Sequence, residues 1–199
     1  MRQASHSKGW SDEFAGAVPS TAMIPFRTDA PIYNITIGTL MLIVANMICF
    51  AVHGPIDDGH AWVLEFGVPP NPLEWLSSMF AHLGVAHLVG NMYFLGCFGL
   101  IVEGKLGLRR FLVLYLSIGL LSAALTQLLM WPMSGGGAVG ASCAIMGLMA
   151  VCLVWAPQNE FTVFMILPTF FFARGFIFEM SILVYGVIYI LWELSLIHI

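Results

Sequence analysis

The sequence predicts an all-α fold, a polytopic helical bundle embedded in a membrane, and three observations lead there. Of 199 residues, 59% are hydrophobic and only 9% charged, with a mean hydropathy of +0.90. So few charges cannot cover a soluble domain, whereas lipid can cover what they leave bare. Apolar runs near 34–53, 86–103, 111–131, 140–156 and 178–197 each approach the ~20 residues that cross ~30 Å of hydrocarbon as a helix. Strand-like alternation is missing, and a segment in lipid must satisfy its own backbone, which a helix does alone.

The elements follow in order. Residues 1–31 are polar and rich in Ser, Pro and Gly, which reads as a flexible arm without a signal-peptide pattern. After the first span, the segment 54–85 holds Asp57, Asp58 and Glu65 and no Lys or Arg, together with Trp62, Phe66, Trp75, Met79 and Phe80. That mixture suits a loop lying in the membrane interface. Phe161–Phe172 is too short to cross, contains Pro168 and ends before Arg174 and Gly175, so a re-entrant or interfacial piece is expected between the fourth and fifth spans.

Charge sets orientation. Arg2, Lys8 and Arg27 precede the first span, Lys105, Arg109 and Arg110 separate the second from the third, and Arg174 separates the fourth from the fifth. All seven basic residues thus fall on one side, which the positive-inside rule makes the cytoplasm. The net charge of −4 with scattered basic residues argues against a nucleic-acid partner. Cys49, Cys97, Cys143 and Cys152 sit in apolar runs without a CxxC pair, as small core residues do.

Polar groups inside the spans are the candidates for function. His87 and Asn91 are four apart at the outer end of the second span, so they share one helix face. Ser142 enters the fourth span from the same side, behind a glycine-rich loop. Three polar groups can therefore converge below the outer surface. The default roles differ: a lone membrane serine bonds the carbonyl one turn back, Asn91 can bridge helices, and the stripe Gly140, Ala144, Gly147 serves close packing. A metal pair of His82 and His87 is disfavoured, because five-residue spacing splays the rings and no HExxH follows.

The stretches "HLGVAHLVGN" (82–91), "EGKLG" (103–107) and "GASCAIMG" (140–147) together resemble the rhomboid family of intramembrane serine proteases, in order, spacing and topology from about residue 34 to 193. The resemblance implies a six-helix core, of which five helices are present in a domain spanning 32–193, and hydrolysis of transmembrane protein substrates without metal or cofactor. It implies that Ser142 is the nucleophile, that His87 and Asn91 line the oxyanion hole, that His82 is a supporting position and that Glu103 with Gly107 form a packing motif. The residue types suit that chemistry. A serine attack needs a base and donors placed where charge develops on the carbonyl oxygen, and small residues beside Ser142 let a peptide approach.

Two departures stand against it. Cys143 occupies the place where the family box usually has glycine, which narrows access. The family's base lies in an Ala-His-x-x-Gly motif on a sixth helix, and the sequence after Ser142 offers only His198. The expectation is a C-terminally truncated chain in which Leu194–Ile199 is a candidate non-native tail and the fragment itself is inactive. The alternative is a proteolytically inactive rhomboid-like protein that binds transmembrane clients.

Overall fold

A computed structural model of the chain describes residues 22–56, 62–131, 136–168 and 173–197. The chain order is β1 (Ala22–Thr28), α1 (Ile37–His53), β2 (Leu64–Glu65), α2 (Pro72–Ser77), a 3-10 turn (Ser78–Phe80), α3 (Val85–Leu106), α4 (Leu108–Leu129), β3 (Gly137–Ala138), α5 (Ser142–Trp155), β4 (Glu160–Pro168), β5 (Ala173–Ser181) and α6 (Ile182–Ile197). Five helices stand where five spans were expected. Of these, α3 and α4 are 22 residues each, long and apolar enough to cross a membrane, about 33 Å at 1.5 Å per residue. The fold is a helical membrane bundle.

The reason is written in which side of each helix is hidden. In α1 the buried stripe is Gly38, Thr39, Leu42 and Asn46, while Leu40, Met41, Val44, Met47 and Ile48 are exposed. Small and polar groups face inward and large apolar groups outward, the reverse of a helix in water and the pattern of one in lipid. Asn46 donates its Nδ2 to the Leu42 carbonyl at 2.8 Å, while its Oδ1 is buried without a partner among the described residues. The core is built around α3, α4 and α5, with Leu95, Phe98, Phe111, Tyr115 and Leu148 almost fully buried.

Glu103, wholly buried, ties α3 to the start of α1. Its carboxylate accepts the N–H groups of Gly38 and Thr39, each at 2.7 Å, and the Thr39 hydroxyl at 2.8 Å. A carboxylate is tolerated there because it meets the unpaired donors and positive end of a helix. Four residues on, Gly107 turns the chain from α3 into α4 at φ +76, a left-handed conformation that glycine adopts without penalty. Its N–H closes α3 on the Glu103 carbonyl at 2.7 Å.

A sheet revises the reading of two segments. Residues 22–28, assigned to the flexible arm, form β1, and the segment expected to be re-entrant forms β4, so that the last helix begins at Ile182 and residues 178–181 belong to β5. The strands run antiparallel in the order β1-β4-β5. Three-strand pairing explains the change, since it satisfies the backbone that a lone apolar run could satisfy only as a helix. At its lower end the Asp29 carboxylate accepts the Glu160 N–H at 2.7 Å and the Asn159 amide at 3.1 Å; the Glu160 N–H in particular holds that carboxyl below its usual range. Residues 1–21 of the arm, Asp57, Asp58 and residues 169–172 lie outside the described residues.

Candidate active site

The segment between α1 and α3 grips the loop that leads to Ser142. Leu64 pairs with Ala138 and Glu65 with Gly137, Phe66 donates its N–H to the Gly136 carbonyl at 3.1 Å, and Gly140 donates its N–H to the Ser78 carbonyl at 2.8 Å. Gln127 of α4, fully buried, braces this arrangement. Its Oε1 accepts the Trp75 indole N–H at 2.6 Å, and its Nε2 donates to the Glu65 carbonyl at 3.1 Å. A polar amide in an apolar span was the signal in the sequence for Gln127, and the sequence reading passed over it.

Ser142 is the first residue of α5, so its hydroxyl stands at the positive end of a helix, where developing negative charge is favoured. It is exposed to a cavity of about 60 Å³ whose lining includes Leu64, Ser78, Met79, Gly119 and Cys143. Cys143 is exposed beside it. Among the described residues the Ser142 hydroxyl makes no hydrogen bond, and His198 lies outside them.

His87 and Asn91 reach the same loop from the first turns of α3. The His87 Nδ1 accepts the Leu83 N–H at 3.4 Å, which leaves the proton of the neutral ring on Nε2. That edge meets Gly140. A Cβ built on Gly140 would stand 2.9 Å from both Cε1 and Nε2 of His87 and 3.3 Å from Nδ2 of Asn91. Gly140 also sits at φ +111, so both close approach and backbone conformation call for glycine. The Asn91 Nδ2 is buried without a hydrogen-bond partner among the described residues, an unused donor of the kind that asks for a ligand. Two N–H groups thus converge on backbone two residues before the serine.

His82 lies behind them. It is 1% exposed, its ring stands edge-on to that of His87 at 5.2 Å, and its carbonyl accepts the Ile56 N–H at 3.0 Å. Burial, reinforced by neighbouring His87, pushes its imidazole down to about 4, so it is neutral at physiological pH. Among the described residues no cluster of three or more His, Cys, Asp or Glu is placed to hold a metal ion.

The model of the Rhomboid domain family matches residues 70–197 of this chain. Among curated proteins, "Presenilin-associated rhomboid-like protein A, mitochondrial" of Danio rerio is 33% identical over 104 residues, 52% of this chain and 27% of that protein. "Presenilin-associated rhomboid-like protein, mitochondrial" is 32% identical over 101 residues in both Bos taurus and Homo sapiens, 50% of this chain and 26% of each relative. The chain thus spans about a quarter of the length of the curated relatives it matches. No solved structure matches it.

Proposed function

The chain belongs to the rhomboid family, and from that premise we propose that it carries the nucleophile and oxyanion donors of an intramembrane serine endopeptidase acting on transmembrane protein substrates near the outer membrane face. The observation that supports the reading is the convergence on Gly140 of the His87 Nε2 edge and the Asn91 Nδ2, which has no hydrogen-bond partner among the described residues, two residues before a serine that opens onto a cavity.

In this reading Ser142 attacks the carbonyl carbon of the scissile peptide bond while a base takes its proton. The carbonyl oxygen becomes an oxyanion, which accepts hydrogen bonds from His87 Nε2 and Asn91 Nδ2. Donors held in place by the fold before substrate arrives stabilise that charge without reorganising. The intermediate collapses to an acyl-enzyme at Ser142, the base returns its proton to the leaving amine, and water then releases the acyl group. The family resemblance implies a base in an Ala-His-x-x-Gly motif following the serine, which the residues after Ser142 do not contain, and His198 is the one histidine among them.

The membrane is taken to be a bacterial inner membrane with the basic ends in the cytoplasm. The named relatives are called mitochondrial, and an inner membrane with its basic ends facing the matrix would impose the same physics. A fluorophosphonate probe tests the nucleophile. With Leu194 onward replaced by a loop and an Ala-His-x-x-Gly helix, the protein should be labelled, and Ser142→Ala should abolish the label. Undiminished labelling in Ser142→Ala would remove Ser142 from the role. The second reading, a client-binding protein without protease activity, is favoured by a Ser142 hydroxyl with no hydrogen-bond partner among the described residues, and it predicts no labelling of either form.

A further inference from the structure

The loop that leads to Ser142 reads GGAVG over residues 136–140, and glycine lends a backbone little stiffness of its own. Its place is therefore set by what holds it. Backbone bonds to Leu64, Glu65, Phe66 and Ser78 do this, and the fit is close: a Cβ built on Gly137 would stand 2.9 Å from the Leu64 carbonyl oxygen and run into the Val63 side chain. The ladder itself has two residue pairs, and a hairpin-sized ladder is marginal unless something else supports it. The loop can thus be no better placed than the segment that grips it.

Gln127 fixes that segment at two points. It lies in the last turn of the 22-residue helix α4 and is fully buried. Its Oε1 accepts the Trp75 indole N–H at 2.6 Å and its Nε2 donates to the Glu65 carbonyl at 3.1 Å. Only this orientation of the amide works, because an indole N–H can only donate and a carbonyl can only accept. Trp75 belongs to α2 and Glu65 to β2, so one side chain ties two parts of the segment to the end of a long helix. Glu65 in turn pairs with Gly137, and Gly140, three residues on, is where His87 and Asn91 meet the loop.

We propose that Gln127 is a positioning residue of the site: by holding Trp75 and Glu65 to α4 it fixes β2, through β2 the strand β3, and through β3 the place of Gly140 against His87 and Asn91. It acts through backbone and not on the reacting atoms. An amide serves here where an apolar side chain of the same length does not, since a hydrogen bond fixes direction as well as distance and apolar burial fixes neither. The bearing of this coupling on catalysis rests on the protease reading; the coupling of Gln127 to Gly140 does not.

Hydrogen exchange read by peptide mass spectrometry tests this on the 199-residue chain in phosphatidylcholine nanodiscs. Gln127→Met keeps the side-chain length but leaves the Trp75 N–H and the Glu65 carbonyl without the partner they have now. Exchange of the amides in 63–66 and 136–140 should rise about tenfold, while those of 92–104 in α3 and 146–154 in α5 stay within about twofold of the unaltered chain. Trp75→Phe cuts one of the two bonds without altering α4 and should raise the same loop amides about threefold. A general loss of bundle stability would move α3 and α5 as much as the loop, so the regional pattern separates positioning from a merely structural role. Unchanged exchange at 136–140 in either variant, or a rise shared equally by α3 and α5, would overturn the proposal; if Gln127→Met does not insert, Trp75→Phe decides alone. Serine reactivity is not read in this experiment, so its failure leaves the protease reading untouched.

Discussion

The imidazole of His87 and the α-carbon of Gly140 approach so closely that a methyl group on Gly140 would meet the ring at 2.9 Å. Gly140→Ala should therefore push the ring aside and also place a side chain at φ +111, a conformation costing on the order of 1–2 kcal/mol. In the form extended by an Ala-His-x-x-Gly helix, reporter cleavage should fall about tenfold or more while the protein still inserts and folds. Full activity in Gly140→Ala would mean that the ring is not held where the site needs it.

His87 and Asn91 are expected to act on the transition state. Replacing either with Ala should lower kcat by about 10²–10³ with little change in KM. The double variant should lose less than the product of the two, because both donors serve one oxygen. Steady-state cleavage of a single-span reporter in detergent or vesicles separates the parameters, and a rise in KM alone would assign the pair to substrate docking.

Glu103 should matter for stability before chemistry. Glu103→Ala leaves the Gly38 and Thr39 N–H groups without the acceptor they have now, at about 1–3 kcal/mol for each buried orphan. Thermal unfolding in detergent should show a clear drop in Tm. Glu103→Gln keeps an acceptor and should recover part of it, whereas equal Tm in all three proteins would contradict the capping role.

His82 links stability to pH. Its imidazole is held down to about 4 by burial, against ~6.5 in an unfolded chain. Between these values the unfolded state binds a proton that the native state refuses, so stability falls as pH drops from 6.5 towards 4 and is flat above 7. The slope from this residue is at most about 1.4 kcal/mol per pH unit. His82→Asn should flatten unfolding curves measured between pH 7 and 5, whatever it does to stability at pH 7.5. An unchanged slope would show that another group carries the dependence.

The helices were legible because lipid imposes a simple rule: about twenty apolar residues with the backbone satisfied internally. His87, Asn91 and Ser142 were legible for the related reason that polar groups in such runs need a cause. The sheet was harder to see. Phe161–Pro168 reads as a short, mostly apolar run broken only by Thr162, in which helix and buried strand give little distinguishing period; its Phe161, Val163 and Phe164 were the β-favouring cue. Pro25 pointed to an edge strand only once a partner strand was known. The clamp of Leu64–Glu65 on Gly137–Ala138 is a ladder of two pairs, too short to leave any pattern in sequence.

The central claim is that Ser142, served by His87 and Asn91, cleaves peptide bonds once a base is supplied. The most direct measurement compares cleavage of a single-span reporter in membranes by the 199-residue chain, by the same chain with Leu194 onward replaced by a loop and an Ala-His-x-x-Gly helix, and by that extended chain carrying Ser142→Ala. Cleavage by the extended chain alone, lost in Ser142→Ala, is the predicted result. Cleavage by the 199-residue chain that disappears in His198→Ala would make His198 the base, and cleavage that persists in the extended Ser142→Ala protein would contradict the account.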